Sequence, residues 1–106
     1  MATTKFYATE SDFFQVIKET KTTVTVRPVR SEFIDYGRIT TSFDFEAVRR
    51  ARPYDFTTCW MFNDKQNTNG KRCKKQTCDD SIIIDANYGV YAYPCSDTET
   101  FEVYYG

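Results

Sequence analysis

The sequence predicts one mainly β domain, built as a small antiparallel barrel or bent sheet of five to seven strands. Aromatic residues make up 17% of the 106 residues, whereas leucine is absent. Because aromatic and β-branched side chains fit a pleated surface better than a helix, this bias favours strands. Several segments also alternate between apolar and polar residues, which is typical of half-buried strands. The length fits a single domain over residues 1–106, with room for one short helix.

The clearest strand lies in residues 22–30, where Val24 and Val26 alternate with threonine and arginine. Pro28 lacks a backbone donor, so we expect this end of the strand at a sheet edge or a bulge. Residues 11–20 fit either a helix or a strand, and their continuity with the next segment favours the strand. Further strands are predicted at residues 5–8, 33–36, 39–45, 54–62, 81–85, 90–93 and 101–105, with 33–36 and 39–45 forming two strands or one long bent one.

Two other segments lack a strand pattern. Residues 46–52 are predicted as a helical turn that ends before Pro53, since the residue before a proline is pushed away from helical geometry. Residues 63–80 are almost wholly polar and contain the turn signal Asn69-Gly70. We interpret them as a long loop or as a polar hairpin with its tip at Asn69-Gly70.

Residues 14–27 contain a strand that ends in a Lys-x-Thr turn and a Thr-Val-Thr-Val strand that leads back. This segment resembles the opening hairpin of small SH3-like barrel proteins of phages and mobile elements. The resemblance implies an SH3-like barrel. Most such proteins lack an assigned role, and those with one tend to be inhibitors or adaptors, so it also implies a binding role. No site residue is assigned from this resemblance.

The chain contains no histidine. Its absence removes Ser-His-Asp and Cys-His nucleophile pairs, histidine acid–base chemistry and the usual catalytic zinc sites. Asp12 with Glu19 and Lys21 resembles the constellation of a metal-dependent nuclease, but the spacing fits poorly. The sequence therefore predicts a protein that is not an enzyme and that uses no cofactor or metal.

The four cysteines, at positions 59, 73, 78 and 95, leave several states open. Free thiols are the expectation for a protein of the reducing cell interior. The alternatives are a zinc site that includes Cys73 and Cys78, or disulfides within the pairs Cys73–Cys78 and Cys59–Cys95.

Charge is distributed unevenly along the chain, although the net charge is only −1. Residues 49–75 hold eight basic and two acidic residues, whereas residues 76–106 hold six acidic residues and no basic one. Such asymmetry bears on partners and not on the fold. If the middle basic residues paired with the late acidic ones, neither set would be available to a partner.

The acidic third predicts a binding surface, because tyrosines that combine apolar area with a polar tip lie among its carboxylates. We expect a non-catalytic protein that docks on the basic groove of a protein partner. A phage-encoded inhibitor of a host nucleic-acid-handling enzyme, acting as a nucleic-acid mimic, would have this character. The candidate partner-binding residues are Asp79, Asp80, Asp85, Asp97, Glu99, Glu102, Tyr91 and Tyr104.

The alternative is a small barrel that binds single-stranded nucleic acid through the basic middle segment. The slightly acidic chain argues against it, because domains of this kind are usually strongly basic. The candidate residues for this alternative are Arg49, Arg50, Lys71, Arg72, Lys74, Lys75 and Trp60.

No apolar run is long enough to cross a membrane, and the first residues do not resemble a secretory signal. The sequence therefore predicts no membrane partner and a cytoplasmic location, which for a phage-encoded protein is the host cytoplasm.

Overall fold

The computed structural model describes residues 5–96 and 100–105, which contain eight strands and one helix. These are β1 (Phe6–Ala8), β2 (Phe13–Glu19), β3 (Thr23–Thr41), β4 (Asp44–Phe56), α1 (Asp64–Asn69), β5 (Lys71–Lys74), β6 (Ile82–Asp85), β7 (Val90–Cys95) and β8 (Phe101–Tyr105). Seven strands form one antiparallel path in the order β6-β7-β1-β2-β3-β4-β8, and β5 pairs with β3 beside this path.

The hairpin of β2 and β3 confirms the strand interpretation of residues 11–20. Val16 pairs with Val26, and Glu19 pairs with Val24. Thr20 closes the turn, since its backbone N–H donates to the Thr23 carbonyl at 2.8 Å and its hydroxyl accepts from the Thr23 N–H at 3.0 Å. Alternating apolar residues then place one face of the hairpin in the core.

The sheet bends around its main hydrophobic core but is not closed. Among the described residues β5 and β6 share no ladder, and an isolated bridge joins Lys75, the residue after β5, to Ile82. The prediction of a mainly β fold with one short helix is therefore confirmed as an open antiparallel sheet, and the closed SH3-like barrel is not confirmed. The buried core residues are Tyr7, Phe14, Val24, Val26, Cys59, Phe62, Cys73, Ile82, Ile84 and Ala92.

Pro28 lies where β3 changes its neighbour on one side. β5 pairs with β3 as far as Val26, and β4 pairs with it from Val29 onward. On the other side Pro28 pairs with Phe14 of β2. The missing N–H of Pro28 thus falls at a break between two ladders, which is how a proline is accommodated within this long strand.

β3 and β4 extend beyond the core as a long hairpin, and β8 adds a third strand to it. We call residues 31–51 and 101–105 the arm; it begins at the pairing of Ser31 with Ala51. The chain turns at residues 42 and 43, between the two strands. A separate strand over residues 39–45 is therefore wrong, because this range crosses the tip of the hairpin.

The predicted helical turn over residues 46–52 is also wrong, because these residues lie within β4. Ala47 pairs with Tyr36 on one side and with Val103 on the other. Alanine and arginine suit a helix locally, but pairing with two neighbouring strands outweighs this weak preference. The predicted strand over residues 54–62 is likewise shorter, since β4 ends at Phe56.

Residues 63–80 form neither the predicted loop nor the predicted hairpin but the helix α1 followed by β5. Asn63 caps the helix: its side chain accepts from the Gln66 N–H at 2.8 Å, and the Gln66 side chain accepts from the Asn63 N–H at 3.0 Å. This reciprocal pair is a capping box. Gly70 then ends the helix, so the turn signal at Asn69-Gly70 marks a helix terminus.

The thiols of Cys59, Cys73 and Cys78 are free, and the first two are buried. Burial raises the pKa of Cys73 from 9.0 to about 11. Desolvation also raises the pKa of Cys59. A buried neutral thiol behaves as a small apolar side chain, which suits the packing position of both residues.

We expect the Cys73 thiol to make folding sensitive to alkaline pH. A raised pKa in the folded state means that stability is complete below pH 9 and is lost as the pH rises toward 11. At 1.36 kcal/mol per pH unit, the loss should reach about 2–3 kcal/mol. Urea unfolding of the native protein and of Cys73→Val at pH 8 and pH 10.5 measures it. The variant should lose less stability over this interval, and equal losses would contradict the assignment.

Candidate functional site

An open cleft of about 750 Å³ lies at one end of the sheet. The turn between β1 and β2 forms one wall, the start of β7 forms the other, and the loop after β4 contributes an aromatic ring. Its polar and aromatic lining residues are Thr9, Glu10, Ser11, Asp12, Trp60, Tyr91 and Tyr93.

Thr9 and Asp12 fix the wall between β1 and β2. The Thr9 backbone N–H donates to the Asp12 carbonyl at 2.9 Å, and the Thr9 hydroxyl accepts from the Asp12 N–H at 3.0 Å. These bonds join the ends of the tight turn that contains Glu10 and Ser11. They therefore fix the backbone of the turn that carries the Glu10 and Asp12 side chains at the cleft.

Trp60 and Tyr88 form an aromatic pair at the mouth of the cleft. Their ring centroids lie 5.3 Å apart in an edge-to-face arrangement. Trp60 is 71% exposed and Tyr88 is 69% exposed, so this pair is open to solvent. Asp85 holds the Tyr88 turn, because its carboxylate accepts from the Asn87 N–H at 2.9 Å and the Tyr88 N–H at 3.3 Å.

The electrostatic character of the cleft is acidic. Glu10 and Asp12 line it, and no lysine or arginine is among its lining residues. Partial burial raises the pKa of the Asp12 carboxyl, against the opposing effect of a hydrogen bond from Ser11. A desolvated carboxylate beside aromatic faces gains most from a ligand that carries positive charge.

The structure divides the predicted acidic surface between two ends of the sheet. Asp79, Asp80, Asp85 and Tyr91 lie on or beside the hairpin of β6 and β7. Glu102 and Tyr104 lie on β8, at the other end of the strand order. Asp97 and Glu99 lie outside the described residues.

The acids near β6 differ in their surroundings. The Asp79 carboxylate accepts from the Ser81 hydroxyl at 2.6 Å and from its N–H at 3.1 Å, and these bonds lower the pKa of Asp79. Asp85 is at the opposite end of β6, next to the cleft. Of the predicted partner-binding residues, Tyr91 lines the cleft, and Asp85 pairs with Val90, which also lines it.

The predicted basic surface is divided as well. Arg50 pairs with Glu32 in the arm, whereas Arg72 of β5 pairs with Thr25 of β3. Seven residues of β3 separate these positions, which corresponds to about 23 Å of strand. The Arg49 guanidinium donates to the Ser31 hydroxyl at 2.7 Å and to the Ser31 carbonyl at 3.1 Å.

Two lysines of β5 and the residue after it bind groups of the protein itself. Lys71 donates to the Ile84 carbonyl, and its ammonium lies 5.4 Å from the centroid of the Phe62 ring. Lys75 binds Glu19 at 2.7 Å and the Thr20 carbonyl at 2.8 Å. Arg72 and Lys74 are exposed. Trp60, predicted to stack on bases, instead lies against Tyr88 at the acidic cleft.

Among the described side chains, the acidic residues on or beside β6 form no ion pair with the basic middle segment. The acidic partners in the observed ion pairs are Glu19, Glu32 and Asp55. Asp79, Asp80 and Asp85 take part in none of these pairs. The acidic end of the sheet thus keeps its charge toward solvent.

The nuclease-like constellation does not assemble. Asp12 precedes β2 and Glu19 ends it, so the strand separates them. Glu19 instead binds Lys5 at 2.9 Å and Lys75 at 2.7 Å, and these cations lower its pKa. Within residues 5–96 and 100–105, no group of three histidine, cysteine or acidic residues could hold a metal ion.

Sequence reasoning missed the cleft because its walls come from three distant segments, within residues 8–12, 60–61 and 89–94. Thr9 and Asp12, three residues apart, mark the turn that positions Asp12. No local pattern indicates that Trp60 meets Tyr88.

Comparison with protein-family models, with curated proteins and with solved structures finds no match to this chain. In the part of the chain that the structure describes, no helix is long and apolar enough to span a membrane.

Proposed function

We propose that this is a non-catalytic binding protein whose cleft receives a cationic side chain from a basic segment of a partner protein. The proposal rests on one observation. Glu10, Asp12 and exposed aromatic rings line the same cleft, and no lysine or arginine is among its lining residues. Docking on the basic groove of a nucleic-acid-handling enzyme would make the protein an inhibitor of that enzyme.

Two physical effects favour a cationic ligand. A guanidinium or ammonium group over an aromatic face is attracted by the ring quadrupole, typically by about 0.5–2 kcal/mol. The partly buried Asp12 carboxylate adds a charge-assisted hydrogen bond, which is stronger than a neutral one. An arginine side chain fits best, because its planar group can stack on Trp60 or Tyr91 and donate to Asp12 at its edge.

Trp60 provides the measurement, since it is the only tryptophan in the chain. Titration with a hexa-arginine peptide should change its fluorescence in a saturable manner, whereas hexa-citrulline, which has no charge, should have little effect. Asp12→Asn should weaken binding about tenfold, equivalent to 1.4 kcal/mol. Asp64→Asn is the matched control, because it removes the same charge from an exposed position on α1.

Binding should also weaken in acid, as the Asp12 carboxylate is protonated. Burial raises the pKa of Asp12, so this carboxylate loses its charge at a higher pH than an ordinary aspartate. Peptide affinity should therefore begin to decline at a higher pH than an unperturbed aspartate, with its pKa of 3.8, would cause. Asp12→Asn should lose this part of the pH dependence.

Three results would overturn the proposal: no fluorescence change with hexa-arginine, equal binding of hexa-citrulline, or equal weakening by Asp12→Asn and Asp64→Asn. Binding of a single-stranded oligonucleotide that is lost in Arg72→Glu with Lys74→Glu, in place of peptide binding, would favour the nucleic-acid-binding alternative.

A further inference from the structure

The hairpin of β2 and β3, together with β5, presents a basic sheet face to solvent. Val24 and Cys73 pair with each other and are buried in the core, so the residues next to them on β3 and β5 lie on the opposite side of the sheet. Thr25 on that side pairs with Lys18 of β2 and with Arg72 of β5. We call this side the basic face, and its residues are Ile17, Lys18, Thr23, Thr25, Arg72 and Lys74.

Three cations of the basic face form a compact set. Lys18 and Arg72 lie on the two strands that flank Thr25, which places their Cα atoms about 10 Å apart. Lys74 pairs with Thr23 and lies two residues along β5 from Arg72, at about 7 Å. All three basic side chains are exposed. They are therefore close enough together to bind one extended anion.

These three cations are not neutralised by ion pairs within the described part of the protein. None of the observed ion pairs uses any of them. Glu19 follows Lys18 in the chain, but it pairs with buried Val24 and so belongs to the other side of the sheet. Its carboxylate binds Lys5 at 2.9 Å and Lys75 at 2.7 Å.

The acidic residues around β6 also leave the basic face uncompensated. The Asp85 carboxylate accepts from two backbone N–H groups of its own turn. The Asp79 carboxylate accepts from the hydroxyl and the N–H of Ser81. Asp80 lies in the turn between β5 and β6, and no observed ion pair among the described side chains joins it to β5. The positive charge of the basic face is thus available to a partner.

Close packing holds the middle of the basic face in place. An added Cβ at Gly70 would lie 2.6 Å from Cγ2 of Thr25 and 2.7 Å from Cδ1 of Ile17, so the end of α1 lies directly against these two side chains. The acidic residue of α1, Asp64, is at the other end of the helix. The Thr25 hydroxyl forms no observed hydrogen bond with the described residues, so it can donate to an anion held between its two cationic neighbours.

The composition of the basic face indicates which anion it fits. None of its six residues is aromatic, whereas surfaces that bind single-stranded nucleic acid combine cations with rings on which bases stack. Lysine, arginine and threonine side chains are common ligands of phosphate oxygens in a nucleic-acid backbone. A duplex keeps its bases stacked inside and displays closely spaced phosphates, with one charge per about 1.7 Å of helix axis in DNA. The basic face therefore suits a duplex better than a single strand.

We propose that the basic face binds the phosphate backbone of a nucleic-acid duplex without reading its sequence. Lys18, Arg72 and Lys74 supply charge-assisted hydrogen bonds, and Thr25 supplies a hydroxyl between them. All these contacts go to groups that every duplex shares. The cleft is lined by residues outside this face, so the proposal does not depend on what the cleft binds.

Fluorescence anisotropy of a labelled DNA duplex of about 20 base pairs tests the proposal with the intact chain. Two duplexes of unrelated sequence should bind equally. The logarithm of the affinity should fall with the logarithm of the salt concentration at a slope of about −2.7, the value for three phosphate contacts. Arg72→Gln and Lys74→Gln should each bring the slope to about −1.8 and weaken binding at least about threefold near 50 mM salt.

Arg38→Gln is the matched control, because it removes an exposed arginine from the arm, away from the basic face. Far-UV circular dichroism confirms that each variant is folded. Asp12→Asn alters the cleft and should not weaken duplex binding, so this proposal and the proposed function can fail separately.

Four results would overturn the proposal. They are no duplex binding at about 50 mM salt, tighter binding of a single strand of the same length, equal weakening by Arg72→Gln and Arg38→Gln, and equal competition by poly-glutamate at the same concentration of charges. The last result would assign the basic face to an acidic protein partner.

Discussion

Gly70→Ala should lower the free energy of unfolding by about 3–4 kcal/mol. Gly70 has φ 98° and ψ 157°, a backbone conformation that is essentially restricted to glycine. An added Cβ would lie 2.6 Å from Cγ2 of Thr25 and 2.7 Å from Cδ1 of Ile17. The variant thus combines backbone strain with overpacking where α1 joins β5. Urea unfolding followed by circular dichroism measures the loss.

Gly89→Ala separates these two contributions. Gly89 has φ 65°, but an added Cβ would meet no atom within 4 Å. Its cost should be that of a left-handed alanine alone, about 1–2 kcal/mol. If both alanine variants lose the same stability, close approach of Gly70 to β2 and β3 is not what requires glycine there.

The elements predicted well from the sequence are those whose pattern is local. β3 alternates in hydrophobicity at its start, and its burial alternates with it. β2 and β6 were also predicted as strands, although β2 is buried at three consecutive residues and the isoleucine run of β6 is buried at Ile82 and Ile84 and half-buried at Ile83. The hairpin of β2 and β3 could be predicted because a threonine-rich turn joins two alternating segments. Such strands need no knowledge of their partners to be recognised.

The secondary-structure predictions were wrong where pairing with distant strands, or the geometry of a helix cap, determines the structure. Residues 46–52 carry residues that favour a helix, yet Ala47 is paired on both sides within a sheet. The helix α1 has only six residues, so its strongest signal is the pair Asn63 and Gln66 and not a hydrophobic repeat. Asn69-Gly70 resembles a hairpin tip in sequence because a glycine with positive φ serves both structures.

The candidate site was harder to predict than the fold. Opposite charge in the middle and final thirds was evident from composition, but not that the sheet order would separate β6 from β8. Trp60 was assigned to the basic set because of its neighbours in sequence, whereas its neighbours in space are Tyr88 and the acidic turn. A site assembled by long-range pairing leaves little trace in any one segment.

The side chain of Asn67 holds the loop between β4 and α1, which contains Trp60. It is buried, and its side chain accepts from the Cys59 N–H at 2.8 Å and donates to the Phe62 carbonyl at 3.3 Å. Its own carbonyl accepts from Nε of Arg27 at 3.1 Å, which joins α1 to β3. One amide side chain therefore satisfies backbone groups on both sides of Trp60.

Asn67→Ala should cost about 3 kcal/mol of unfolding free energy, because it leaves two buried backbone groups without a partner. Amide hydrogen exchange of Cys59 should accelerate as the loop loosens. Asn69→Ala is the matched control on the same helix, at an exposed position, and should change stability by less than about 0.5 kcal/mol. Equal behaviour of the two alanine variants would show that the loop is held by apolar packing of Phe62 and not by the Asn67 amide.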